Sequence, residues 1–272
     1  MPLEFVASMA DPRLAPYRDL RNANPTLVSG RFIAEGATLV ERLLASRFPI
    51  ESVLAEERFL EGLRLAELAA PVYVVPTGEL SDVIGFKFHR GVIACGRRLP
   101  CPALADIVPP SRTAQPGVLV VAIDVHDPEN VGALIRNGRA LGASGVLLNN
   151  RCADPFSRRV LRTSMGTVLS LPIRVTSRIE EELRELQASY GVALVGTVLD
   201  RGATSLDEYR FRGAQALLFG SEGSGLPAEI AALCDQSLTI PMQPGVDSLN
   251  VAAAAGIILY AVLRSSSRET GR

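Results

Sequence analysis

The chain has 272 residues, of which 47% are hydrophobic and 21% are charged, a balance typical of globular proteins and unlike that of disordered or fibrous ones. No apolar run reaches the ~20 residues of a membrane span, and the first residues lack a secretory signal, so we expect a cytoplasmic protein that binds no membrane. The four cysteines form no CxxC pair and have only two histidines as companions, so the sequence predicts no metal site.

The net charge of −1 hides a local excess of arginine. Lys87 is the only lysine among 28 basic residues, so the positive charge is almost entirely guanidinium, which suits bidentate contacts with phosphate. Residues 111–178 carry nine arginines and four acidic residues, a local net charge of +5. This asymmetry favours a polyanionic partner, although arginine usage also follows genomic composition.

Five prolines between residues 99 and 116 predict a linker that divides the chain near residue 110 into units 1–110 and 111–272. In the first unit, hydrophobic patterning predicts a small α/β sandwich. The predicted strands are 31–34, 51–54, 72–75 and 91–95, and the predicted helices are 36–46 and 56–69.

The second unit alternates strands and helices more regularly. The predicted strands are 118–123, 145–148, 192–198, 216–219 and 238–240, and the predicted helices are 131–141, 155–163, 179–190, 227–233 and 249–263. The strands are continuous apolar runs, as expected where helices cover both faces of a parallel sheet. Ligands of such sheets bind beyond the carboxyl ends of the strands, so the loops that follow the strands are the candidate sites.

Three of these loops carry unusual chemistry. The first leads to a helix on which Asn130 is the expected N-cap and Arg136 and Arg139 share one face. The second, residues 220–226, has three glycines that let a ligand approach the backbone, but it lacks the Lys-Ser/Thr pair of a Walker loop. The third, residues 240–250, feeds an alanine-rich helix. Taken singly, each has an ordinary explanation: a capped helix, a tight turn and a serine cap.

Their order and spacing are specific when taken together. The patterns Asn130-x-Gly-x-x-x-Arg136, Gly220-Ser-Glu222-Gly-x-Gly and Ile240-Pro-Met with Ser248-Leu-Asn250-Val resemble the three motifs of the SpoU (TrmH-like) RNA 2′-O-methyltransferases of the SPOUT superfamily. The resemblance spans residues 117–264. Asn137-Gly138 and Ser164-Met-Gly166 depart from the usual family pattern.

The first unit resembles the family's L30e-like substrate-binding domain through residues 31–36 and 89–94. The resemblance implies an α/β fold in which the second domain contains a trefoil knot and pairs as a homodimer. It also implies S-adenosylmethionine as the cofactor and RNA as the substrate, with 23S ribosomal RNA favoured and transfer RNA as the alternative.

The resemblance also assigns residues to the site. It implies that the cofactor is bound by Gly196, Thr197, Val198, Leu199, Leu218, Gly220, Ile240, Met242 and Leu249. The catalytic centre is implied at Arg136, assisted by Asn130, Glu222, Ser248 and Asn250. Because arginine keeps its proton in proteins, we expect Arg136 to stabilise a developing alkoxide and to bind phosphate, and not to act as a base.

Two other functional classes are weighed against this one. A non-catalytic RNA-binding module on the same scaffold would lose the polar motif residues, and all five are present. A nucleotide-binding oxidoreductase would need GxGxxG directly after the first strand of the second unit, where this chain has Asp124-Val-His126-Asp-Pro.

Overall fold

The computed structural model describes residues 3–18, 20, 28–61, 68–110, 117–200 and 202–269, with side chains up to residue 265. They form two compact units, Met1–Pro100 with Phe156–Leu169, and Cys101–Pro155 with Ser170–Arg272.

The strands are β1 Leu3–Phe5, β2 Arg31–Glu35, β3 Ile50–Glu56, β4 Val72–Val75, β5 Val92–Arg97, β6 Gly117–Ala122, β7 Gly145–Asn149, β8 Ile173–Thr176, β9 Ala193–Thr197, β10 Thr204–Ser205, β11 Ala214–Phe219 and β12 Gln236–Thr239. The α-helices are α1 Ala37–Leu44, α2 Leu80–Ile84, α3 Pro128–Ala140, α4 Arg158–Thr163, α5 Ile179–Tyr190, α6 Ala228–Ala231 and α7 Val251–Glu269.

The boundary between the units differs from the predicted division into 1–110 and 111–272. Residues 101–110 belong to the second unit because Leu104 and Ile107 are buried in its core, and the Ser144 hydroxyl donates to the Ile107 carbonyl over 2.8 Å. The rest of the predicted linker, residues 111–116, lies outside the described part of the chain.

Residues 156–169 lie between two segments of the second unit in the sequence but belong to the first unit. The ring of Phe156 lies 5.3 Å from that of Phe32 and 5.5 Å from that of Phe48, measured between centroids. Arg158 forms an ion pair with the buried Glu35 and places its guanidinium 4.9 Å from the centre of the Phe86 ring. The prediction that all of residues 111–272 belong to the second unit was therefore wrong for residues 156–169, because these long-range contacts leave no local signal.

The first unit is built on a mixed sheet with the strand order β1-β4-β3-β5-β2. Strands β1, β4 and β3 run parallel, and β5 is antiparallel to both β3 and β2. All four predicted strands are present, whereas β1 and α2 were not predicted. Of the helix predicted over 56–69, the described residues form only a 3₁₀ turn at Glu57–Phe59, and residues 62–67 lie outside the description.

The second unit contains a fully parallel sheet of seven strands in the order β10-β12-β9-β11-β6-β7-β8. The predicted parallel α/β fold is therefore confirmed. Strand β8 was missed because it lies at one edge of the sheet, where only Ile173 and Thr176 are buried, so its apolar run is interrupted. Strand β10 has two residues, too few to give a pattern.

Helix α3 also begins earlier than predicted. Asp127 is its N-cap, because the carboxylate accepts from the Glu129 amide over 2.8 Å, and Pro128 occupies the first turn. The prediction of Asn130 as the N-cap was wrong. The Asn130 side chain is consequently available for contacts outside its own helix.

No helix in the described part of the chain is long and apolar enough to cross a membrane. Among the same residues, no group of three or more His, Cys, Asp or Glu side chains is arranged to hold a metal ion.

The ion pair of Arg158 and Glu35 should be important for the stability of the first unit. Arg158→Ala leaves the buried Glu35 carboxylate without its cation, so we expect the free energy of unfolding to fall by about 3 kcal/mol. Arg162→Ala is the control, because Arg162 is on the same helix but exposed. Urea unfolding followed by circular dichroism gives both values, and equal small losses would contradict the prediction.

Candidate active site

A cavity of about 390 Å³ lies at the carboxyl ends of β9, β11 and β12 and against α7. Seven of the nine predicted cofactor residues line it: Thr197, Val198, Leu199, Gly220, Ile240, Met242 and Leu249. The other two do not. Gly196 and Leu218 lie within β9 and β11, and Leu218 is fully buried.

Residues 220–225 form a tight turn that only glycine permits at its first position. A Cβ on Gly220 would lie 2.1 Å from the carbonyl carbon of Gly225, and the Gly225 amide donates to the Ser221 carbonyl over 2.9 Å. Gly225 itself has a φ of 67°, in the left-handed region. The turn brings Ser221, Glu222 and Ser224 to the cavity wall.

The lining also includes residues that the motifs did not indicate. They are mostly apolar: Phe219, Leu226, Leu238, Val251, Ala254 and Ile258. In the sequence these residues have the pattern of ordinary core residues, so nothing identified them as part of the cavity lining. The carboxylate of Glu222 is the single charged side chain among the lining residues.

The side chains of two asparagines and one glutamate, which are far apart in the sequence, form one hydrogen-bonded row: Asn250, Asn130 and Glu222. Asn250 Oδ1 accepts from the backbone amides of Ala252 (2.9 Å) and Ala253 (3.3 Å), which caps α7. Asn250 Nδ2 donates to Asn130 Oδ1 over 2.8 Å, and Asn130 Nδ2 donates to Glu222 Oε1. Three of the five predicted catalytic residues therefore meet in one network.

The backbone amides of α7 determine which atoms donate and which accept along this row. Backbone amides can only donate, so the Asn250 oxygen must face α7 and its NH₂ group must face Asn130. Asn130 then has to accept with its oxygen, which turns its own NH₂ group toward Glu222. The residue at position 222 must therefore accept a hydrogen bond, as a carboxylate oxygen does. Positions 130 and 250 each need a donor group and an acceptor group on one side chain, which asparagine supplies.

Ser248 and Arg136 stand apart from the row. Ser248 is exposed and lines the cavity, and the α7 cap expected from it is supplied by Asn250. Arg136 does not line the cavity; it is exposed and makes no hydrogen bond or ion pair with any described residue. It lies about 9 Å along α3 from Asn130 and on a different face, since six residues turn a helix through about 240°.

Asn137 is a positioning contact that the motifs did not predict. It follows Asn130 by seven residues and so lies on the same face of α3, where its Nδ2 donates to the Ala252 carbonyl in α7 over 2.8 Å. A Cβ on Gly256 would lie 3.3 Å from this same amide nitrogen, so the glycine permits the close approach of α3 and α7. The seven-residue spacing of two asparagines was the available signal.

Two thiols close to these strands are held neutral by burial. Burial raises the pKa of Cys234 to about 11, and the Sγ would lie 3.0 Å from a Cβ on Gly196. Burial likewise raises the pKa of Cys152 to about 11. Both thiols stay protonated at neutral pH and contribute packing, not nucleophiles.

The profile of the SpoU rRNA Methylase family matches residues 117–260. The chain belongs to this family. The match covers every strand of the seven-stranded sheet, the three motif loops and most of α7.

Curated relatives agree with this assignment. A protein of Mycobacterium bovis described as an uncharacterized tRNA/rRNA methyltransferase is 38% identical over 272 residues, covering 97% of this chain and 92% of the relative. The 23S rRNA (guanosine-2′-O-)-methyltransferase RlmB of Acinetobacter baylyi is 30% identical, covering 74% of this chain and 83% of the relative.

Solved structures share the fold over nearly the whole chain. The AdoMet-bound rRNA methyltransferase from Sinorhizobium meliloti is 29% identical, with a TM-score of 0.82 and coverage of 96% of this chain and 98% of that one. The SpoU methyltransferase AviRb from Streptomyces viridochromogenes, in complex with AdoMet, is 25% identical, with a TM-score of 0.80 and coverage of 96% and 100%.

The two roles of Asn250 can be separated by substitution. Asn250→Ala removes both the cap of α7 and the donor to Asn130, whereas Asn250→Ser keeps a capping oxygen and loses only the donor, so the free energy of unfolding should be about 1 kcal/mol lower in the alanine variant than in the serine variant. Only the serine variant would then isolate the loss of the donor to Asn130. Thermal unfolding of both variants tests this; equal destabilisation would show that the cap is not the main contribution of Asn250.

Proposed function

We propose that the protein is an S-adenosylmethionine-dependent methyltransferase that methylates a ribose 2′-hydroxyl of RNA. The observation that carries the proposal is the row of Asn250, Asn130 and Glu222 beside a cavity walled by the 220–226 loop. Family membership and the names of the relatives, which are RNA methyltransferases, support the same reaction.

The cavity fits S-adenosylmethionine better than a phosphate-bearing cofactor. Its volume is within the range of small-molecule sites, and its walls are mostly apolar with exposed backbone at the glycine turn, which suits an adenine ring and a bent amino-acid tail. Its one charged lining group is a carboxylate, which favours a ligand with a net positive charge. A dinucleotide would need cations for its phosphates, and no lysine or arginine is among the lining residues. The AdoMet complexes of two neighbours in fold support the same choice.

The bound cofactor supplies an electrophilic methyl group, and the protein has to orient a hydroxyl and handle its proton. Asn130 holds one carboxylate oxygen of Glu222, which leaves Oε2 to accept a hydrogen bond from the attacking hydroxyl. Arg136, exposed and without a partner among the described residues, is free to bind the neighbouring phosphate and to stabilise the developing alkoxide. Ser248 adds a further hydroxyl at the cavity wall.

We assign ribosomal RNA as the substrate, with 23S rRNA favoured and transfer RNA as the alternative. One relative is named as a 23S rRNA methyltransferase and another as a tRNA/rRNA methyltransferase. The first unit would select the RNA as an L30e-like domain, and the second would perform the chemistry. Mapping of ribose methylation in total RNA from a strain lacking the gene tests this: loss of one 2′-O-methyl group in 23S rRNA is expected. Loss from a transfer RNA would select the alternative, and an unchanged map would refute the proposed function.

The cofactor site can be tested on the full chain by calorimetry. Gly220→Ala should abolish S-adenosylmethionine binding, because the added Cβ would lie 2.1 Å from the Gly225 backbone and would open the turn. Gly202→Ala is the control, since its Cβ would meet its nearest atom at an ordinary 3.5 Å. Failure of the unsubstituted protein to bind the cofactor would refute the assignment.

The trefoil knot and the homodimer are also part of the proposal. Ile257 and Tyr260 are 43% and 55% exposed on α7, and together with the exposed Ala253 and Leu263 they give this helix an apolar strip at helical spacing. A second copy of the second unit would cover it. Sedimentation should therefore give twice the chain mass of 29.0 kDa, and a species at 29.0 kDa would contradict the dimer.

The role of Arg136 is tested against its neighbour Arg139. Arg136→Lys keeps the charge but loses the planar fork, so single-turnover methylation should slow by roughly 10²–10³, the cost of losing a preorganised donor at an oxyanion, with cofactor affinity unchanged. Arg139→Lys should have little effect, because Arg139 donates to Ser170 at the surface. Similar rates in the two variants would mean that both arginines merely attract RNA.

A further inference from the structure

The carboxyl edge of the seven-stranded sheet is divided into two chemically different parts. Strands β9, β11 and β12 end at the cavity, whose single charged lining group is the Glu222 carboxylate. Strands β6 and β7 end instead at a group formed by Asp124, His126, Asn149 and Arg151, which we call the β6–β7 cluster. Because β6 pairs with β11, this cluster begins one strand spacing, about 5 Å, from the strand that enters the glycine turn.

Asp124 holds a backbone conformation that residues with a Cβ rarely adopt. Its φ is 57°, in the left-handed region. Two hydrogen bonds with Asn149 hold it there: the Asp124 amide donates to Asn149 Oδ1 over 3.0 Å, and Asn149 Nδ2 donates back to the Asp124 carboxylate. Strain that is held in place by its surroundings is characteristic of functional sites.

The strained turn aims the Asp124 carboxylate at Arg151. Arg151 Nε donates to Oδ1 over 2.7 Å and Nη2 lies 2.6 Å from Oδ2, which is the side-by-side geometry of a bidentate pair. The Arg151 side chain is nevertheless 61% exposed. The carboxylate uses two of the five guanidinium N–H groups, and the other three have no partner among the described residues. The guanidinium is thus oriented before a ligand arrives.

His126 adds an acceptor beside these donors. Its ring is exposed, and its Nδ1 lies 2.8 Å from the Arg151 carbonyl oxygen. A carbonyl only accepts, so Nδ1 carries the hydrogen and Nε2 of the neutral ring presents a lone pair. An outward acceptor of this kind pairs with a hydroxyl group.

We propose that Arg151 and His126 bind a nucleotide of the RNA substrate, with the Arg151 guanidinium on a phosphate and His126 Nε2 on a ribose 2′-hydroxyl. This inference rests on the proposed function and adds a recognition site to it. The hydroxyl contact distinguishes RNA from DNA. Because Asp124 already neutralises Arg151, the contact depends on directed hydrogen bonds more than on net charge, and it should persist at salt concentrations that weaken unpaired arginines.

Fluorescence anisotropy of the full-length protein, with a short single-stranded RNA of mixed sequence and the DNA of the same sequence, tests the site. Arg151→Gln should weaken binding of both strands about tenfold, the worth of one charge-assisted hydrogen bond. His126→Phe should weaken RNA binding alone, so that the preference for RNA over DNA falls. Arg184→Gln is the control, because Arg184 is an exposed arginine on α5 that pairs with Glu180.

Calorimetry with S-adenosylmethionine separates this inference from the proposed function. All three variants should bind the cofactor like the unsubstituted protein, since none of the residues lines the cavity. If Arg151→Gln and His126→Phe bind RNA as the Arg184→Gln variant does, the β6–β7 cluster is only a surface ion pair and the inference is overturned. If the unsubstituted protein neither binds the cofactor nor methylates RNA, it is the proposed function that fails.

Discussion

The site depends on one constraint, the direction of the hydrogen bonds from the first turn of α7 to Glu222. The α7 amides can only donate, and each asparagine side chain passes this polarity on, so the row ends by requiring an accepting carboxylate oxygen. These hydrogen bonds join Asn130 to Glu222 and Asn250, which lie 92 and 120 positions away from it in the sequence. Substitution at any member reverses or breaks the order, which makes the row a unit and not three separate contacts.

The parallel sheet is what allows such distant residues to meet. Asn130, Glu222 and Asn250 all lie beyond the carboxyl ends of strands β6, β11 and β12, and β9, which ends at the same cavity, joins β11 to β12. Close packing of α3 on α7, through Asn137 and Gly256, then sets the distance between the first and third motif loops. Fold and site are therefore linked by two asparagines, seven residues apart on one helix face, of which one holds the helices and the other holds the carboxylate.

The sequence predicted the parts of this arrangement that leave a local pattern. Continuous apolar runs identified the central strands β6, β7, β9 and β11. The resemblance to the three SpoU motifs implied that Asn130, Glu222 and Asn250 belong to one centre, and the structure joins them by hydrogen bonds. The sequence could not place residues 156–169 in the first unit, because the contacts of Phe156 with Phe32 and of Arg158 with Glu35 join residues more than 100 positions apart. It also could not reveal that Asp127 caps α3, since Asp127 and Asn130 are both good capping residues and only the fold decides between them.

The two halves of the carboxyl edge of the seven-stranded sheet differ in the kind of ligand that they suit. The half at β9, β11 and β12 forms a mostly apolar cavity with a single carboxylate, and it suits a small cationic ligand. The half at β6 and β7 is open and presents oriented donors on Arg151 and an acceptor on His126, which suits a strand of nucleotides. The boundary between them is the β6–β11 pair; Asn130, in the first turn of α3, follows β6, and Glu222, in the glycine turn, follows β11. A hydroxyl held at that boundary would reach both a proton acceptor and the cavity, so the reacting groups would meet where the two binding surfaces adjoin.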